Sequence, residues 1–413
     1  MIAVLSNRAH AATLTVMPWD DPQTIVNRSQ PGDTIRFTGT QYNLTKQVNL
    51  KGNRSYVGDS GAVIYARFAE HAFRVSESNT RISYLTFDAG GAIRIDSGST
   101  PITGPFVDNC FIKVRNIAPS AHVGIIFEAG SPMSGARITN CTFDPIEGDA
   151  GIYGYEYSDL RIQNCVFQNG TGGAADGVHI SAHGNGKSKD LVIDQCYGKD
   201  LRRNFLEIQG PAINVTVQDC WYEWFGQIPF QPGDGTFLYS LPLEGATGVK
   251  ITRNVALSPL SSAFPDKIGP RIVWEIGGTG TVMEYNYSRG ANHVIAANGA
   301  NGTGVARNNN IGDFRESPRT ANGNTTSFVD NGPGVLLPVD LLARGRPAPN
   351  RVFGSIVQSV PTPTPTTVPA SQPTPTPTTV PTTVPSASRT IVKTTLTWTV
   401  TYSDGSTEQI TRP

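Results

Sequence analysis

Residues 176–221 read DGVHISAHGNGKSKDLVIDQCYGKDLRRNFLEIQGPAINVTVQDCW, and one pattern occurs twice within them. A short alternating run (Gly177-Val-His-Ile-Ser181, then Phe205-Leu-Glu-Ile-Gln209) leads through a turn to a second run (Leu191-Val-Ile-Asp194, then Val215-Thr-Val-Gln218). Each second run ends in a polar residue and a cysteine, Gln195-Cys196 and Asp219-Cys220. The same step recurs upstream at Asn109-Cys110, Asn140-Cys141 and Asn164-Cys165, and Arg81-Ile-Ser-Tyr-Leu85-Thr-Phe87 copies Arg137-Ile-Thr-Asn-Cys141-Thr-Phe143 with Leu85 in the cysteine place. Downstream, the spacing predicts continuation at Asn254-Val255, Asn286-Tyr287 and Asn308-Asn309, with other residues replacing cysteine.

A period of roughly 22 to 35 residues marks a solenoid, whose units bury an apolar face only by stacking. The runs alternate with period two and are short and rich in Val, Ile, Phe and Thr, which excludes the helical solenoids. The expected fold is all-β: a right-handed parallel β-helix with three strands per coil.

The Asn-x-x-Phe steps at Asn140 to Phe143 and Asn164 to Phe167 resemble the asparagine stack of pectate-lyase-like β-helices. Gln30-Pro-Gly-Asp-Thr-Ile-Arg-Phe37 with Gly39-Thr-Gln-Tyr42 is similar to that superfamily's first coil. The resemblance covers about residues 20–315 and implies the fold and a polysaccharide partner. Asp176-Gly-Val-His-Ile-Ser181 also resembles a segment of polygalacturonase-type glycoside hydrolases, which implies a catalytic acid at Asp176. The rest of that pattern is missing: Arg203-Asn204 stands where a second Asp would fall, and there is no later Gly-His-Gly or Arg-Ile-Lys.

The 413 residues carry 33 basic and 33 acidic side chains, so charge points to neither nucleic acid nor a membrane surface, and no apolar run is long enough to span a bilayer. Residues 1–19 read as a tail, with Ala9-His-Ala11 in the small-x-small form of a signal-peptidase site after a shortened apolar stub. Residues 20–360 form the β-helix domain, opened by a capping helix at Asp20-Asp-Pro-Gln-Thr-Ile-Val-Asn27 and closed by a capping segment at 334–343. Residues 361–388 are Pro/Thr repeats, a semi-rigid linker, and 389–413 read as a β-hairpin tail. Linkers of this composition resemble those of secreted bacterial carbohydrate-active proteins, which implies an extracellular protein.

The five cysteines occupy one point of successive coils. Stacked strands set them ~4.8 Å apart, a poor match to the ~3.8 Å Cβ separation of a disulfide, so buried thiols are expected. No CxxC or Cys/His cluster points to a metal, and no cofactor is expected.

Alternation places His179, Ser181, Glu207, Gln209, Glu275, Arg94, Asp96 and Glu128 on one outward face, joined by Arg74, Tyr153 and Tyr239. Inserts at 113–122, 168–175, 222–236 and 257–270 all follow the cysteine strand and would wall that face. Such a trough suits a polysaccharide; the plain alternative is an ordinary solvated sheet. Glu207 and Glu275, two coils apart, would lie roughly 9.6 Å apart by strand spacing, near the ~6.5 to 9.5 Å of an inverting glycosidase. The catalytic candidates are therefore Glu207, Glu275, His179 and Asp176. The substrate-binding candidates are Arg94, Glu128, Tyr153, Arg203, Trp221, Trp224 and Tyr239. Hydrolysis leads; β-elimination on a uronate polymer, with Arg202, Arg203, His179 and Tyr239 to provide the base and the charge that neutralises the carboxylate, and a non-catalytic glycan-binding adhesin or tailspike are the alternatives. Oligomeric state is not readable from these residues.

Overall fold

A computed structural model describes residues 11–347 except 97, 99, 118–121, 129–132, 173–174, 182–187, 210, 224–237, 241–245, 258–271, 277, 299–301 and 323–324, together with 396–401 and 407–412. For 209, 238–240, 272–276, 290–298, 313–322 and the last two ranges it describes the backbone. Among the described residues of 11–347, successive coils contribute up to three short strands, and the strands of adjacent coils pair in parallel. The first column is a sheet whose main path runs from Thr13–Val16 through Lys189–Asp194 and Ile213–Gln218 to Ser327–Val329. The second includes Thr142–Ile146, Val166–Gln168, Tyr197–Lys199, Trp221–Glu223 and Val255–Leu257. The third includes Val123–Phe127, Ala150–Gly154, Asp176–Ser181, Leu206–Gln209, Leu238–Ser240 and Ile272–Ile276. The long strands Val63–Val75, Thr86–Ile95, Tyr287–Asn298 and Asn310–Asn322 turn the corner between the second and third columns and join them into one set.

Alternation sends one apolar residue in two to the axis. Val178, Ile180, Leu206 and Ile208 of the third column meet Phe143, Phe167 and Phe205 in a single core. Phe143 and Phe167 stack with ring centroids 4.8 Å apart because identical positions of adjacent coils lie one strand spacing apart.

The step before each cysteine has a backbone cause. Asn109, Asn140, Asn164, Gln195 and Asp219 all have φ between 50° and 56°, the left-handed region that Asn and Asp tolerate best among residues with a Cβ. The following cysteine points inward; all five are buried and free of disulfides. Downstream the register differs from expectation by one residue. Arg253 and Tyr285 take the left-handed place, while Asn254 and Asn286 occupy the cysteine place itself. There they form a ladder: the Asn254 side-chain amide donates to Asn286 Oδ1 (3.0 Å), Asn286 to Asn309 Oδ1 (2.9 Å) and Asn309 to Asn331 Oδ1 (2.7 Å). The stacked amides thus lie at 254, 286, 309 and 331. Asn140, at the turn, donates instead to Asp108.

The helix α1 (Pro22–Arg28) is capped by Asp21, which accepts from the Gln23 N–H, has Pro at its first turn, and buries Val26 in the core. The segment expected to close the C-terminal end runs back along the outside of the second column. Its short helix α2 (Leu341–Arg344) buries Leu341 with Trp221 and Val255, and Arg344 pairs with Asp219 and Arg346 with Glu223. The chain divides into two compact units, Met1–Val357 and Gln358–Pro413. In the second unit, Leu396–Thr401 and Thr407–Arg412 pair antiparallel. Residues 1–10 and the Pro/Thr stretch lie outside the described residues.

Candidate functional site

The third column presents one residue per coil at each outward position. Its register reads Arg74, Arg94, Ile126, Tyr153, His179, Glu207, Tyr239, Glu275. The backbone thus puts seven expected groove residues in one file, interrupted by Ile126. The stretch 224–237, which takes in most of an insert expected to wall this face, lies outside the described residues. Trp224 falls within it, outside the described residues, and for Tyr239 and Glu275 the backbone position alone is described.

The file's chemistry converges at Asp176, His179 and Glu207. Gly177 lets this strand close on its neighbour, since a Cβ there would lie 2.7 Å from the Phe205 carbonyl oxygen. His179 Nδ1 lies 3.0 Å from Asp176 Oδ2 and 3.6 Å from Glu207 Oε2. Asp176 Oδ1 accepts the Asn204 backbone N–H at 2.8 Å. Glu207 Oε2 accepts from Arg203 Nη2 at 2.6 Å and Asn204 Nδ2 at 2.9 Å, while Arg203 Nη1 is 3.4 Å from Asp176 Oδ2. The Tyr153 ring stacks on the imidazole, centroids 4.5 Å apart, and Tyr155 packs beside it.

Burial sets the electrostatics. Asp176 and Glu207 have no exposed surface and His179 keeps 8%. Loss of water, with Glu207 as a like charge nearby, pushes Asp176 up to about 7, against the pull of the His179 hydrogen bond and Arg203. Desolvation likewise raises the Tyr153 phenol to about 12. His179 Nε2 is buried without a hydrogen-bond partner among the described residues. His179 Nδ1 is turned to the Asp176 carboxyl, which leaves Nε2 as the ring's other polar atom.

Asp176, His179 and Glu207 offer three possible metal ligands within 4.8 Å of one another. The Arg203 guanidinium already supplies positive charge there, and a cation binding both carboxylates would have to displace it.

The other candidates fall in different places. Arg94 is 3.2 Å from Asp96, which also accepts from Arg74 at 2.8 Å, and 3.5 Å from Glu128, forming a separate ionic cluster upstream in the file. Arg203 braces the two carboxylates. Trp221 is no sugar platform: it is 6% exposed beneath Leu341, with its Nε1–H donated to Glu223. The expectation missed that the outward face of the second column is covered by the returning C-terminal segment. It also passed over Asn204, whose backbone and side chain orient both carboxylates; the signal was its place on the coil after Asp176, noted only for lacking an Asp.

The family model described as the right handed beta helix region matches residues 33–223. The chain folds as a right-handed parallel β-helix. Solved structures similar to this β-helix protein include PfbA, a surface adhesin of Streptococcus pneumoniae (10% identity, 75% of this chain and 86% of that one, TM-score 0.49). An alginate lyase from Paenibacillus sp. str. FPU-7 is 14% identical over 78% of this chain and 98% of its own, TM-score 0.49. The catalytic unit of an α-1,3-glucanase from Streptomyces thermodiastaticus strain HF3-3 is 12% identical over 78% and 70%, TM-score 0.48. No curated protein matches the β-helix protein in sequence.

Proposed function

We propose that this β-helix protein binds a polysaccharide along the outward face of its third column and hydrolyses glycosidic bonds there. The observation that carries this reading is the Asp176–His179–Glu207 cluster within a file of outward residues. Its two carboxyl groups have different surroundings, the usual way a site separates an acid from a carboxylate. Asp176, pushed up to about 7, keeps a proton near neutral pH and shares it with His179. Glu207 is held by Arg203 and Asn204 as the carboxylate that faces positive charge developing on the sugar. His179, the most exposed of the three and beside Tyr153, gives its Nε2 proton to the glycosidic oxygen while Nδ1 takes up the Asp176 proton, and water completes hydrolysis at the anomeric carbon as the C–O bond breaks. One carboxyl oxygen of Asp176 and one of Glu207 lie within 4.8 Å of each other, a spacing of the order of the ~5 to 5.5 Å between the carboxyl groups of a retaining enzyme. If Glu275 is the second carboxylate, two strand spacings (~9.6 Å) favour inversion.

Incubation with a polysaccharide panel should release reducing ends without the ultraviolet absorbance of an unsaturated uronate. Glu207→Gln should lower turnover about 10²- to 10⁴-fold while binding persists. Unchanged turnover removes Glu207 from the chemistry, and the anomer formed first assigns its partner. A second reading, glycan binding without cleavage, is favoured by the complete burial of both carboxylates and the bracing by Arg203. Retention on a glycan with no new ends would establish it. The Pro/Thr stretch supports an extracellular setting for either activity.

A further inference from the structure

Among the described residues, the groove face carries no excess of positive charge. The guanidinium groups of Arg74 and Arg94 meet Asp96 and Glu128. Arg203 spans Asp176 and Glu207. Three cationic side chains thus face four carboxyl groups. Arg202, next in sequence to Arg203, donates to the Gly172 carbonyl oxygen, and adding it only evens the balance. A uronate bound along this file would set one carboxylate per sugar against carboxylates already in place. Drawing Arg203 toward it would leave Glu207 buried without its counter-charge, a strongly unfavourable arrangement. The surface that remains is aromatic: Tyr153 and Tyr155 form a half-buried pair, centroids 4.9 Å apart, directly upstream of His179. Such rings meet the C–H face of a pyranose, and that face is the same whether or not the sugar is charged.

We propose that the groove selects a neutral polysaccharide, an uncharged hexose polymer, and discriminates against polyuronates, with Tyr153 and Tyr155 as the platform beside the reacting bond. This rests on the glycan-groove reading above and gives it a substrate class.

The test uses the full chain in affinity electrophoresis through gels containing neutral glucans and galactans or, separately, polygalacturonate and alginate. The expected result is retardation by at least one neutral polymer, unchanged at about 1 M salt, where the screening length is ~3 Å. Tyr153→Ala should weaken that retention about tenfold, and Tyr153→Phe should preserve it. Far-ultraviolet circular dichroism confirms that each variant is folded, and Tyr155→Ala gives an independent reading of the platform if Tyr153→Ala does not fold. Retention confined to polyuronates and abolished by salt overturns the inference while leaving a glycan groove intact. Retention by neither class overturns the groove itself.

Discussion

Asp176 stands among donors yet holds its proton to about pH 7, because removal from water outweighs the help from His179 and Arg203. Relative to an ordinary value of 3.8 in the unfolded chain, the folded protein binds an extra proton between about pH 4 and 7. The contribution of this carboxyl to stability is therefore greatest below pH 4 and declines as pH rises through 7, by up to about 4 kcal/mol. Asp176→Asn lacks that penalty, so its urea midpoint should gain on the parent's between pH 5 and 8. The opposite trend would mean that Asp176 is a stabilising ionised partner of Arg203. At this scale the sequence was informative about direction and poor about surroundings. Alternation put His179 and Glu207 on the outward side, and they do oppose Val178 and Ile208 of the core. Full burial was not legible, because it depends on Arg203, Asn204 and Tyr153, whose approach is set by packing between coils.

The corner of each coil joins two ladders end to end. From Cys110 to Cys220 the inward place holds thiols, each bonded to backbone carbonyls of its own and the preceding coil, as Cys165 Sγ is to Gln163 O (3.4 Å) and Ile138 O (3.6 Å). Burial raises the thiols of Cys141, Cys165, Cys196 and Cys220 well above the usual range. Ellman's reagent should leave all five thiols of the native protein almost unreacted and titrate them in denaturant; rapid reaction of any one in the native state would show that its corner opens. From Asn254 the same place holds amides, and Cys220 N–H itself donates to Asn254 Oδ1 (2.9 Å). Asn286→Leu removes the acceptor of the Asn254 side chain and backbone N–H together, and should cost on the order of 3 kcal/mol in denaturant unfolding. The repeat was legible because the left-handed step restricts residue choice. The one-residue slip at Asn254 and Asn286 arose because asparagine suits both the left-handed turn and the inward stack, and composition does not distinguish them.

Over the whole molecule, stacking was readable from the repeat, whereas the return of residues 334–346 along the second column was not. Those residues have no periodicity; their position is held by Leu341 against Trp221 and by two ion pairs. Leu341→Ala should cost about 2 to 5 kcal/mol if the strap and its coils unfold together. Hydrogen exchange should then accelerate at Trp221–Glu223 and spare Asp176–Ser181; uniform acceleration would place Leu341 in the cooperative core. The strap also decides how the molecule meets a mechanical load. A pull on the chain beyond residue 347 first reaches the coils at Glu223 and Asp219, on the rung of Cys220, and not at the last rung of the ladder, that of Asn331. Tension applied from that side therefore shears two ion pairs across the flank before it can peel a terminal rung, so the end of the stack is shielded from the force.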